Sequence, residues 1–166
     1  MENIEQVIRY MSEYGTVFLF VIVFLEYMNL PGLPAGIIMP AAGLLVARNS
    51  MHFSMALILS VVAGLLGSYV LYGIGYYVGH PLLDKVYQRY EKLQSPINKT
   101  VGYMDKYGNR GLLISRLIPV ARTLIALVVG TTRMKLVPFT VYSILGITVW
   151  NATLITTGYV IGRLAF

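Results

Sequence analysis

The chain has no cysteine, only two histidines and a single tryptophan among its 166 residues. The missing thiols exclude disulfides, thiolate nucleophiles and Cys-ligated metals. His52 and His80 alone predict neither a metal site nor a cofactor. Charge is scarce too: 12% of residues are charged and 57% are apolar, whereas soluble domains average about 25% and about 45–50%. Too little polar material remains to coat a globule in water, and disordered chains are poor in apolar residues. The composition therefore predicts an integral membrane protein. The net charge of +6 comes from basic residues lying between apolar runs. There they meet anionic lipid headgroups and set topology rather than bind nucleic acid. Glu2, Glu5 and Glu13 oppose the positive opening of a secretory signal, so the first apolar run is expected to be retained.

Two runs are uncharged and exceed the roughly 20 residues a helix needs to cross a bilayer: residues 53–79 and 137–162. Two other apolar stretches are interrupted. Residues 15–25 stop at Glu26 and are followed by Leu30-Pro31-Gly32-Leu33-Pro34-Ala35-Gly36 before residues 37–47 resume. Residues 111–130 hold Arg116 and Arg122 with Pro119 midway between them. Proline lacks an N–H and breaks a helix. Irregular backbone survives at membrane depth only where protein or a wet cavity satisfies it. Each stretch predicts a re-entrant hairpin of two half-helices; the alternative for the first is one long kinked span.

Residues 1–13 place Ile4, Val7, Ile8 and Met11 at helical spacing, which predicts an amphipathic surface helix or, equally, a frayed terminus. Residues 80–106 predict an amphipathic cytoplasmic connector, opened by Pro81, with Leu82, Leu83, Val86 and Leu93 toward the membrane.

The two halves echo each other. Tyr14-Gly15 and Tyr107-Gly108 open the hairpins, and Gly75–Gly79 and Gly158–Gly162 close the spans. The fold expected for the single domain 1–166 is therefore all-α, with two inverted repeats, 14–79 and 107–166. Each repeat is a re-entrant broken-helix hairpin plus one transmembrane helix. One crossing per repeat inverts the second relative to the first, an architecture common in transporters. With the connector inside, eight basic residues face the cytoplasm and Arg9, Arg48 and Arg163 face outward, as the positive-inside bias requires.

Three charges fall within apolar sequence. Glu26 is the last acid before Asp84; it reads as a titrating group, a counter-ion for a basic headgroup, or a structural or interfacial carboxylate. Arg116 and Arg122 would diverge by about 240° on a straight helix, and a break at Pro119 lets both turn inward. Their planar forks match phosphate oxygens; the structural alternative pairs Arg116 with Glu26 and lets Arg122 snorkel. The GxxxG pairs Gly75/Gly79 and Gly158/Gly162 serve close packing within the chain or a homodimer face. Asn151, Thr153, Thr156 and Thr157 line a polar path or bond across helices. No nucleophile–His–acid set, P-loop or HExxH motif occurs, so no enzyme is expected.

At Glu26, Pro31–Gly43, Gly64–Ser68, Tyr72–Gly75, Ser115–Arg122 and Trp150-Asn151 the sequence resembles the DedA family, also called the SNARE-associated or VTT-domain family. The likeness runs from about Tyr14 to Gly162. It implies a multi-pass protein of the bacterial plasma (inner) membrane. The implied activity is flippase- or scramblase-type movement of a lipid between leaflets, either a phospholipid such as phosphatidylethanolamine or undecaprenyl phosphate. Membrane lipids with a phosphate headgroup would be the partners. Glu26, Arg116 and Arg122 would bind substrate, and the breaks at Pro31, Pro34 and Pro119 would move. Two departures stand out: Ala35-Gly36 and Ser68 occupy places where many members carry acids, which favours a passive flip of a zwitterionic phospholipid. A non-transporting scaffold and a proton-coupled small-solute exporter are the alternatives.

Overall fold

In hydrocarbon a backbone satisfies its amides only internally, so the apolar runs become helices. A computed structural model describes residues 2–28, 36–48, 51–89, 91–118 and 121–165; within these, the side chains of 2–14, 80, 82, 83, 86, 92, 93, 96, 100, 121, 123, 124 and 165 fall outside the description. Its helices are α1 (Glu2–Tyr27), α2 (Ile38–Ala47), α3 (Phe53–Val78), α4 (His80–Arg89), α5 (Glu91–Tyr107), α6 (Arg110–Arg116), α7 (Ala121–Thr131) and α8 (Leu136–Ala165), with no strand among the described residues. Pro31, Pro34 and Pro119, and the side chains of Leu82, Leu83, Val86 and Leu93, lie outside the described residues.

The two expected spans are α3 and α8, of 26 and 30 residues. At 1.5 Å per residue they measure about 39 and 45 Å, more than the roughly 30 Å of hydrocarbon. Ile58, Val62, Leu66, Val70 and Ile74 recur every fourth residue as an exposed apolar stripe on α3, and Val137, Val141, Leu145 and Val149 do the same on α8. Only 33% and 28% of their apolar windows are buried; the core helix of a soluble globule would be mostly buried. α2 has 10 residues, about 15 Å, and the apolar part of α1, Gly15–Tyr27, about 20 Å. Neither reaches across. Gly15, at φ 54° and ψ −131°, kinks α1 where its sequence turns from amphipathic to apolar. Pro40 does not break α2. It sits in the first turn, where its missing N–H forfeits no helical bond.

The chain forms two compact units, residues 1–64 with 148–166 and residues 65–147. The first unit holds α1 and α2, the second holds α4 to α7, and α3 and α8 each contribute to both.

In the first unit α1 packs on α2. A Cβ on Gly43 would overlap the Ile155 carbonyl oxygen, and one on Gly158 would overlap that of Pro40. Gly162 meets Leu44 and Ala47, so α2 and this end of α8 run parallel at backbone contact. In the second unit the same device recurs: Gly75 on α3 and Gly130 on α7 face each other, each against the other helix's carbonyls. Small residues allow such approach. Gly75, Gly158 and Gly162 are thus used in packing within the chain, the first of the two roles open to these glycines. Gly43→Ala or Gly130→Ala should lower stability by about 1–3 kcal/mol through overpacking against rigid backbone, read as a lower melting temperature in detergent.

The second unit has a core of Leu112, Ile125, Ala126, Val129 and Phe139. α5 packs on α6 and α7, and α4 on α5 and α7. Gly111 brings α6 against the Tyr103 carbonyl. The expected connector is therefore two helices, α4 and α5, with part of its length docked on α6 and α7.

The end of α7 carries an unusual residue. Arg133 N–H donates to the Gly130 carbonyl (3.0 Å) and Met134 N–H to that of Val129 (3.4 Å). These are the two bonds of a Schellman cap, whose left-handed position is usually glycine. Arg133 occupies it at φ 53°. Arg133→Gly should relieve the Cβ clash and raise stability by about 1 kcal/mol, measured as a higher melting temperature.

Candidate functional site

α6 ends at Arg116, because Leu117 N–H and Ile118 N–H turn back to the Ile114 and Ser115 carbonyls (3.1 and 3.2 Å). Helix resumes at Ala121, and Arg122 N–H reaches the Ile118 carbonyl (2.9 Å). The two arginines thus flank an interruption, as their spacing around Pro119 suggests. Both side chains lie inside the protein, 1% and 2% exposed.

The stem of Arg116 runs over Gly146, where a Cβ would stand 2.9 Å from the arginine Cβ. Its Nη1 donates to Ser68 Oγ (3.3 Å) and its Nη2 to Ser143 Oγ (2.7 Å). Cζ lies 5.7 Å from the centroid of the Phe139 ring. Ser68 and Ser143 are themselves buried. The fork of a permanent cation is therefore directed by two neutral hydroxyls from α3 and α8, with an aromatic face alongside. Both bonds have an ionised donor, and the planar fork is also the geometry that matches carboxylate or phosphate oxygens. Arg122 lies in the first turn of α7, which packs against α6; Ser115, just before Arg116 in α6, is fully buried.

Glu26 lies in the first unit, in the last turn of α1, and is 3% exposed. Beside it, Tyr27 donates to Asn151 Oδ1 (3.0 Å) with both residues buried. Tyr27 is thus a core residue rather than an interfacial anchor. Asn151 bonds across helices, whereas Thr153 and Thr157 are exposed and donate to carbonyls of their own helix, Val149 and Thr153. Sequence reasoning missed Ser143 and Phe139. Ser68 carried a signal, since it stands where many members of the resembled family place an acid.

The pattern defining the VTT domain matches residues 33–160. This chain belongs to the VTT-domain, or DedA, family. Over 159 residues it is 33% identical to undecaprenyl phosphate transporter A of Staphylococcus aureus, covering 93% of this chain and 78% of that relative. It is 28% identical to the uncharacterized membrane protein YbfM of Bacillus subtilis, covering 98% of each. Protein DedA of Escherichia coli is also 28% identical, covering 92% of this chain and 73% of that protein. No solved structure matches. With two helices of crossing length and apolar outer faces, this VTT-domain chain is a membrane protein. Arg116, Arg122, Ser68, Ser143 and Phe139 all fall inside the matched region and Glu26 outside it.

Proposed function

We propose that this VTT-domain protein is a multi-pass lipid translocase of the bacterial inner membrane, passing a phosphate-bearing lipid between leaflets. The observation that carries this reading is the burial of two permanent cations, Arg116 and Arg122, around a helix interruption. Such charges within a membrane segment are costly and mark substrate pathways. The fork of Arg116 takes the phosphate, Arg122 adds the second cation, and Glu26 is a third buried charge that takes part in transport. The apolar part of α1 and the short helices α2, α6 and α7 form re-entrant hairpins, and one crossing per half makes the halves inverted repeats. The breaks around Pro31, Pro34 and Pro119 supply the movement. The acyl chains stay in the bilayer while the headgroup crosses.

The names of two relatives, from Staphylococcus aureus and Bacillus subtilis, support undecaprenyl phosphate as the substrate. The neutral Ser68 supports a phospholipid such as phosphatidylethanolamine, flipped without proton coupling. Both carry the phosphate the arginines would read. The test is reconstitution in liposomes with each labelled lipid in turn. Wild-type protein should move at least one of them faster than empty liposomes do, and Arg116→Ala with Arg122→Ala should return the rate to background. Wild-type protein that moves neither lipid overturns the reading.

A further inference from the structure

A second cationic site lies in the same unit, at the α3–α8 end. Here α3 and α8 run antiparallel: Tyr69 pairs with Thr140 and Tyr72 with Met134. Between them opens a cleft of about 680 Å³, lined by Tyr69, Tyr72, Tyr76, Arg133 and Lys135 among others, with no acid among its described lining residues.

The cleft has fixed walls. Tyr72 Oη donates to the Met134 carbonyl (2.6 Å), which pins the α7–α8 turn to α3. Thr140 Oγ1 gives its one proton to the Leu136 carbonyl (2.8 Å), so the 2.6 Å contact with Tyr69 has the tyrosine as donor. Tyr72 stacks near Tyr76 (centroids 6.0 Å apart) and packs on Phe139 (4.7 Å). Arg133 Cζ sits 5.5 Å from the centroid of Tyr76. Tyr76 thereby orients a guanidinium that is exposed, held on a left-handed residue where glycine would be easier.

The surroundings identify the occupant. The cleft closes the tip of two helices whose outer faces are apolar: Ile74 and Val137, next to it in sequence, are 39% and 74% exposed. Tyrosine and basic residues at such a boundary meet headgroups. We infer that this cleft binds the phosphate of an anionic phospholipid between Arg133 and Lys135. The glycerol rests against the tyrosines and the acyl chains follow the exposed apolar faces of α3 and α8. Neither Arg116 nor Arg122 lines this cleft, although Phe139 lies against both Tyr72 and Arg116, and the proposal does not depend on whether the protein moves lipid.

The test is photolabelling of the intact protein in phosphatidylcholine nanodiscs, using phosphatidic acid with a diazirine close to the headgroup. Adducts are expected on the segments 69–77 and 133–137. Arg133→Gln with Lys135→Gln should cut that labelling about tenfold or more, the loss expected for charge-assisted bonds. The charge-keeping pair Arg133→Lys with Lys135→Arg should retain most of it. Both side chains are exposed, and an unchanged melting temperature confirms the fold. Dihexanoyl phosphatidic acid should compete. Labelling that misses these segments, or survives the double glutamine variant, overturns the proposal. Equal competition by dihexanoyl phosphatidylcholine overturns the anionic assignment, and equal competition by inorganic phosphate overturns the lipid one.

Discussion

Arg116→Lys should leave a folded protein that moves phosphate lipids about 10–100-fold more slowly than wild type. The charge is kept, so the field inside the second unit changes little. What is lost is the fork. Nη1 and Nη2 of Arg116 reach Ser68 on α3 and Ser143 on α8 at once, and a single ammonium on a flexible stem cannot hold both directions. A hydrogen bond to a charged group contributes about 1.5–3 kcal/mol, which corresponds to the range given. The stem must also stay where it is, because Gly146 leaves it no room to shift toward α8. Arg116→Ala should be slower still. The pair separates two roles for the arginine. If it only braces the helices, lysine should retain transport in proportion to its melting temperature. If it holds substrate phosphate, transport falls while the melting temperature stays within a few degrees. Flipping rate in liposomes and thermal unfolding in detergent, on the same preparations, give both readings.

The spans and the break were legible because they depend on local sequence. An uncharged run of sufficient length becomes a helix whatever surrounds it, and α3 and α8 begin and end within about three residues of the expected limits. Gly15 and the interruption after Arg116 were visible for the same reason. Partners distant in the chain were not. Ser143 lies 27 residues beyond Arg116 and Asn151 lies 124 beyond Tyr27, and no periodicity links such pairs. The threonines near Asn151 look equivalent to it in sequence. A hydroxyl bonds back to its own helix and can face outward, whereas a buried amide needs a partner across the helix interface. Arg133 was counted only as a topology charge, because its left-handed conformation depends on where α7 stops. Its placement sets stability against binding, the trade expected where a residue serves a site: glycine there should melt later and label less.

Ser68→Asp should make transport depend on pH, with the activity low in alkaline medium and recovering toward wild type in acid. Ser68 Oγ is 3.3 Å from Arg116 Nη1 and buried, so a carboxylate at this position would face the guanidinium directly. Ionised, it competes with the lipid phosphate for the same fork, as an ion pair where the hydroxyl offers only a neutral acceptor. Protonated, it is neutral again and yields the arginine as serine does. The sign follows: the inhibiting species is the ionised one, so inhibition fades as pH falls through the carboxyl's own titration. Wild-type protein, with a hydroxyl there, should lack the part of that dependence that arises at position 68. Ser68→Asn separates charge from size. The amide is close in shape to the carboxyl but carries no titrating proton, so its rate should be flat with pH. Initial flipping rates in liposomes clamped at several pH values decide between these outcomes. A Ser68→Asp protein that folds and moves lipid at the wild-type rate in alkaline medium would remove the phosphate from the fork of Arg116. The second arginine, Arg122, would then be left to carry it alone.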